Sequence, residues 1–378
     1  DAVIEKGLSV SVEQSKLMAK SIWEQKTLLP RTLDKEGKLI TSDSKWWTSG
    51  FFPGVLWYLY EATGDTLLKE YACDYTSRVE KEKYNKGNHD VGFMLYCSYG
   101  NGFRLNPTSE SEGVLINGAH ALSARYNPVV KCIRSWNKWR DYSYPVIIDN
   151  MMNLEMLMWA YKRTGDDTFK NIAISHANTT KLHHFREDYS SFHVVAYDLK
   201  SGKVLQRGTD QGYGDDSSWA RGQAWALYGY TMMYRETGNE DYLNLAWHIA
   251  DFILNHPHLP KDKIPYWDFD FDTGSTEPRD SSSSAIVICG IYEMLPYLEK
   301  EEAEKYGMAA DKMLCALIEK CAVKSKEQSN GLLLHGTYAR SSEENTCKDR
   351  GVDECNTWGD YFYLEALRRR CGAWNPYW

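Results

Sequence analysis

The chain has 378 residues, of which 43% are hydrophobic and 25% charged; that composition supports a large folded core and excludes an intrinsically disordered chain. No apolar run reaches the roughly 18 residues that a membrane-spanning helix needs. The net charge of −8 argues against nucleic acid or an acidic membrane as the default partner.

In chain order, two kinds of helix alternate. Residues 54–62, 92–99, 150–161, 222–234, 285–298 and 359–367 are apolar almost all round, and a helix without a polar face must be covered on most sides. Residues 67–79, 168–183, 242–255 and 301–321 each carry one apolar stripe at helical spacing, the mark of a half-exposed helix. Three junctions between the kinds repeat: Thr63-Gly64-Asp65, Thr164-Gly165-Asp166 and Thr237-Gly238-Asn239. Glycine there suits a left-handed helix end, and the Asp or Asn caps the helix that follows. The repeating unit is a helical hairpin, buried arm first, and about six units of roughly 60 residues fit the length. Buried first arms favour closure into a ring, an all-α (α/α)6 barrel formed as a single domain over 1–378; a helical bundle is the alternative. Strand signals are sparse. Irregular stretches at 99–145, 189–221, 256–284 and 330–358 are rich in Trp, Gly, Asp and Ser, and loops this long in a compact domain are usually functional. They are expected to wall a cleft where the inner helices begin.

The 14 Trp and 26 Tyr are an unusual aromatic load; a single ring is more often a core residue, but the Trp-rich set as a whole suits a sugar site. Their flat apolar faces match the C–H faces of sugars. Nine cysteines contain no C-x-x-C pair, so no zinc or thioredoxin-like signature exists. Cys97, Cys289 and Cys315 sit in helical runs as small hydrophobes. Cys347 and Cys355 lie close enough in a polar loop to bridge, or stand as two free thiols. The first residue is Asp1 and not Met, which fits a removed leader; periplasmic and cytoplasmic locations in a bacterium both stay open.

Several inner helices open on polar clusters: Asn88-His89-Asp90, Ile147-Ile148-Asp149-Asn150, residues 211–223, and Arg279-Asp280 followed by four serines. A lone Asp at such a position serves as a helix cap. Two heading adjacent inner helices of one cavity would resist ionising together, leaving one as a proton donor near neutral pH. Asp149 is the stronger candidate, because Pro145-Val146-Ile147-Ile148 gives it an apolar approach. Arg221 and His193 are the cations suited to an anionic substrate; an ion pair of Arg221 with Asp215 or Asp216, and a merely hydrogen-bonded His193, are the alternatives. No nucleophile elbow, P-loop or dinucleotide turn is present. Acid–base chemistry on a carbohydrate is what remains.

At these residues the chain resembles the unsaturated glucuronyl hydrolases, glycoside hydrolase family 88. The resemblance runs from about Trp47 over most of the chain. It rests on Trp47-Thr48-Ser49-Gly50-Phe51, His89-Asp90-Val91-Gly92-Phe93, Ile147-Ile148-Asp149, Gln211-Gly212 and Ser218-Trp219-Ala220-Arg221-Gly222-Gln223-Ala224-Trp225. Tyr266-Trp267-Asp268-Phe269, Arg279-Asp280-Ser281-Ser282 and Trp358-Gly359-Asp360-Tyr361 continue it. The resemblance implies an (α/α)6 barrel acting on lyase-derived oligosaccharides that end in a 4,5-unsaturated uronic acid. It implies Asp149 as general acid/base, Asp90 as the essential second carboxylate, and a sugar site lined by Trp47, Trp136, His193, Gln211, Trp219, Arg221 and Trp225. Neither a metal nor an organic cofactor, nucleic acid nor a membrane span is expected. Two departures are Lys45-Trp46 ahead of Trp47 and the extended loop 339–356. An unsaturated rhamnogalacturonyl hydrolase acting on pectin fragments, a sugar epimerase and a non-catalytic glycan-binding protein are the other readings.

Overall fold

The computed structural model describes residues 2–342 and 348–372. Six inner helical segments form a ring, and each packs beside an outer helix. The inner set is α2 (Phe51–Thr63), α4 (Val91–Leu95) with α5 (Asn101–Leu105), α7 (Leu154–Thr164), α9 (Ala220–Thr237), α11 (Ser281–Met294) and α13 (Thr357–Cys371). The outer set is α1 (Ala2–Ser21), α3 (Thr66–Ser77), α6 (Ser109–Ser123), α8 (Asp167–His183), α10 (Glu240–Asn255) and α12 (Lys300–Lys320). Neighbouring inner helices touch in sequence and α13 closes on α2. The fold is an (α/α)6 toroid. No helix among the described residues is long and apolar enough to cross a membrane.

The hairpin junctions adopt the expected caps. Gly64, Gly165 and Gly238 take left-handed φ values of 70°, 74° and 69°, and Asp65, Asp166 and Asn239 accept the next helix's N–H groups. Inner helices are buried nearly all round; in α9 every residue from Ala220 to Met233 is buried. Their far ends are tied by charge. Arg235 of α9 bridges Glu155 of α7 (2.5 Å) and Glu293 of α11 (2.9 Å), while Arg369 of α13 bridges Glu293 (2.8 Å) and Glu365 (2.9 Å).

Some expectations need correction. The stretch 99–145 is not irregular throughout, since it contains α5 and α6. Gly118 within α6 disguises that helix, but it is a packing requirement: a Cβ there would lie 2.3 Å from Leu95 Cδ1. The inner segment at 92–99 leaves the α-helix for a π-turn at Tyr96–Gly100, and the one at 285–298 ends at Met294 before a short 3-10 turn holding Pro296. Cys97 and Cys289 are buried, but Cys315 is exposed. Cys347 lies outside the described residues; Cys355 is a buried free thiol directed at Asp360 Oδ1 (3.4 Å).

Short strands brace the loops at the mouth. β1 (Leu29–Leu33) pairs antiparallel with β2 (Leu39–Ser42) and, on its other side, with the two-residue strand at Cys355–Asn356. The two-residue strands Tyr126–Asn127 (β3) and Cys132–Ile133 (β4) pair with each other. β5 (Pro145–Ile147), β6 (Val194–Tyr197) and β7 (Val204–Gly208) form a second three-stranded sheet. The β6 signal, Val-Val-Ala-Tyr, is only four residues long; Val195 and Tyr197 pack with Tyr144 and Val146 on one face, and Val194 and Ala196 with Trp139 and Ile147 on the other, so both faces are buried.

Candidate active site

The loops at the N-terminal ends of the inner helices enclose a cavity of about 760 Å³. Asp90 and Asp149 both line it. The two carboxyl-bearing segments are stitched together: Phe93 N–H at the start of α4 donates to Asn153 Oδ1 at 2.8 Å. Gly92 permits that approach, because a Cβ there would fall 2.4 Å from Asn153 Oδ1 and 2.9 Å from Asn153 Cα.

Asp149 stands where β5 runs into a 3-10 turn, Ile148–Asn153, and every residue from Pro145 to Asn153 is buried. Its carboxyl keeps 10% exposure, and Oδ1 lies 3.5 Å from His193 Nε2. β-pairing makes this neighbourhood: Ile147 is opposite Val194, and Ile148 N–H donates to the carbonyl of His193 (3.0 Å). The strand is braced from behind by His184 Nε2, 3.0 Å from the Val146 carbonyl. Burial pushes the His184 imidazole down to about 3, so it is neutral and donates that bond. Asp90 Oδ1 lies 3.2 Å from His89 Nε2, and His89 is fully buried.

Of the expected sugar-site residues, Trp47, Trp136 and Gln211 line the cavity beside the two carboxyls. Ser135 fixes the Trp136 loop to β5 through Ile147 N–H (2.8 Å). His193 and Trp219 form the layer behind the wall, with ring centroids 4.6 Å apart. Trp225 and Arg221 lie deeper still. Trp225 is fully buried and packs on Phe93 and Phe362 at 5.1 and 5.4 Å, a core position. Arg221 is also fully buried: it pairs with Asp280 (3.0 Å) and donates to the carbonyls of Thr337 (2.6 Å) and Tyr338 (2.5 Å). It pairs with neither Asp215 nor Asp216; it anchors the loop that carries Tyr338 into the cavity.

Sequence reasoning missed Trp46, Trp139, Arg140 and Tyr338, all of which line the cavity. Trp47 stacks on Tyr338 at 6.2 Å and packs on Trp358 at 4.9 Å. Arg140 covers Trp139 at 4.2 Å and makes two bonds to Asp215 (2.9 and 2.7 Å), latching the Trp136 loop to the Gln211 loop across the mouth. From the connection between α10 and α11, Asp268 braces the Gln211 loop by accepting from Tyr213 N–H (2.9 Å) and the Ser217 hydroxyl (2.7 Å); burial raises it to about 6 despite those donors. Among the described residues no three His, Cys, Asp or Glu side chains converge as a metal site.

A helical toroid with two carboxyls lining a tryptophan-walled cavity is a carbohydrate-degrading enzyme in its design. Comparison with known proteins bears directly on this. An unsaturated glucuronyl hydrolase of Formosa agariphila is 46% identical over 331 residues, covering 86% of this chain and 80% of that protein. An unsaturated chondroitin disaccharide hydrolase of Streptococcus pyogenes is 37% identical over 92% of this chain and 87% of its own length. The crystal structure of an unsaturated glucuronyl hydrolase specific for heparin superposes with a TM-score of 0.91 at 41% identity, covering 98% of this chain and 97% of that one. No protein-family model matches the chain. The chain belongs to the unsaturated glucuronyl hydrolases and is a glycoside hydrolase.

Proposed function

We propose that the enzyme removes a 4,5-unsaturated uronic acid from the non-reducing end of glycosaminoglycan-derived oligosaccharides, with Asp149 as general acid and base. The observation that carries the reading is the Asp149 carboxyl itself: buried at the end of an apolar strand, open only to a cavity that Asp90 and tryptophan rings share. The C4=C5 bond of such a sugar is an enol ether, since the ring oxygen is bonded to C5. The Asp149 proton adds to C4, and the π electrons form the new C4–H bond. Positive charge is left shared between C5 and the ring oxygen. Water adds at C5, and the Asp149 carboxylate takes its proton. The hemiketal so formed releases the ring oxygen from C5, leaving a ketone there and a hemiacetal at C1, which expels the next sugar. No attack at C1 is needed, so the separation rule for two-carboxylate glycosidases does not govern this site.

Asp90, at the same cavity, holds ring hydroxyls. Trp47 and Trp136 supply apolar faces for the rings, and Gln211 supplies an amide for polar groups. The cavity also leaves room beyond one ring for the sugar that is released.

The test is a panel of lyase-derived unsaturated disaccharides, from glycosaminoglycans and from pectin, followed by loss of the ultraviolet absorbance of the double bond. Turnover is expected on the glycosaminoglycan members. Turnover confined to the pectin fragments would replace this reading with the rhamnogalacturonyl one.

A further inference from the structure

The mechanism above uses Asp149 but assigns nothing to the imidazole behind it. His193 has 0% side-chain exposure and stands behind the cavity lining. Its ring sits between Trp136 and Trp219, with centroids 5.8 and 4.6 Å away. Its Nδ1 accepts the backbone N–H groups of Asp210 (3.0 Å) and Gln211 (3.3 Å), with the Thr209 hydroxyl 3.4 Å away. Two N–H bonds aimed at one ring nitrogen leave no room there for a proton. The imidazole proton therefore belongs on Nε2. That atom has one neighbour of opposite character, Asp149 Oδ1 at 3.5 Å, and neither atom has another hydrogen-bond partner among the described residues. Catalytic contacts of this length commonly tighten when substrate closes the site.

We infer that His193 is a positioning residue, locked as the neutral Nε2–H tautomer, that holds Asp149 Oδ1 so that Oδ2 exchanges the proton with substrate. The inference rests on the assignment of Asp149 as acid and base. All three parts come from one small sheet: β5 delivers Asp149, β6 begins directly after His193, and the turn leaving β7 supplies the Asp210 and Gln211 N–H groups. The neutral form has a chemical consequence. An imidazolium beside Asp149 would hold the carboxyl ionised and remove the proton that C4 must receive. A neutral N–H orients the group in both halves of the cycle without placing a full charge beside it. An Nδ1–H tautomer would face two backbone donors with a third and leave Oδ1 unsupported.

Two measurements test this. Nitrogen-15 NMR of the full chain labelled at histidine, with His193 assigned by its loss in H193Q, reads the tautomer directly. Nδ1 is expected in the unprotonated range and Nε2 in the N–H range. An imidazolium, or a proton on Nδ1, overturns the lock whatever the role of Asp149. In kinetics, His193→Ala is expected to lower kcat about 100-fold with KM changed less than about threefold. His193→Gln places an amide N–H near the position of Nε2 and is expected to recover at least about tenfold of that loss. A raised KM with unchanged kcat would instead make His193 a substrate ligand. Equal losses in the two variants, both folded by thermal melting, would remove the donor role.

Discussion

Asp149→Asn is expected to lower the rate of double-bond loss about 1,000-fold or more, while KM moves only a few-fold and the melting temperature stays within a degree or two. The amide is the same size as the carboxyl, and its oxygen can take the place of Oδ1, 3.5 Å from His193 Nε2. What it lacks is an acidic proton for C4 and a base for the water that follows, so the loss falls on kcat. The ring contacts that bind sugar, from Trp47 and Trp136, are untouched. Residual turnover within about tenfold of the parent enzyme would assign the proton to another group, with Asp90 the first to examine.

The largest stability effect is expected at Arg235. Its guanidinium lies between Glu155 and Glu293, whose side chains are each 3% exposed, and it is itself 11% exposed. Arg235 also pairs with Glu236 (3.2 Å), so Arg235→Ala leaves three carboxylates without this partner, and breaking one partner of a buried pair costs about 3–5 kcal/mol. Arg369 also binds Glu293 (2.8 Å), so Glu155 is the group left most exposed to the loss. Denaturant unfolding should show a clearly lower midpoint with an unchanged slope. The double variant Arg235→Met with Glu155→Leu removes charge and partner together and should recover most of the lost stability. A single variant as stable as the parent would mean that the charges are solvated, contrary to their burial.

Much of the architecture was legible because its signals are local. The Thr-Gly-Asp and Thr-Gly-Asn junctions encode a left-handed helix end and the next cap within three residues, and the structure forms all three. All-round apolarity likewise marked the inner arms. Where long-range packing chooses the residue, the local signal misled. Gly118 lowers the helix propensity of α6 because Leu95 occupies the space of a side chain.

The site divides in the same way. Asp90 and Asp149 could be found because each heads an apolar segment, and both line the one cavity. Trp139, Arg140 and Tyr338 gave no such signal, since their directions depend on loops joined only in three dimensions. Arg221 shows the limit most plainly. Its acidic partner was sought among neighbours in sequence, but it is Asp280, which stands 59 positions away. The W-x-R-G-Q-A-W motif identifies the family, yet Arg221 and Trp225 within it support the site from below its surface.

The central claim is that the bond cleaved first is not the glycosidic bond but the C4=C5 double bond, protonated from Asp149. The most direct measurement runs the reaction in deuterium oxide and locates the new hydrogen in the keto-acid product by NMR. Deuterium at C4 from the first turnover, delivered to one face, is the predicted result; a product carrying no solvent deuterium at C4 when first formed, with the double bond intact as the sugar leaves, would contradict it.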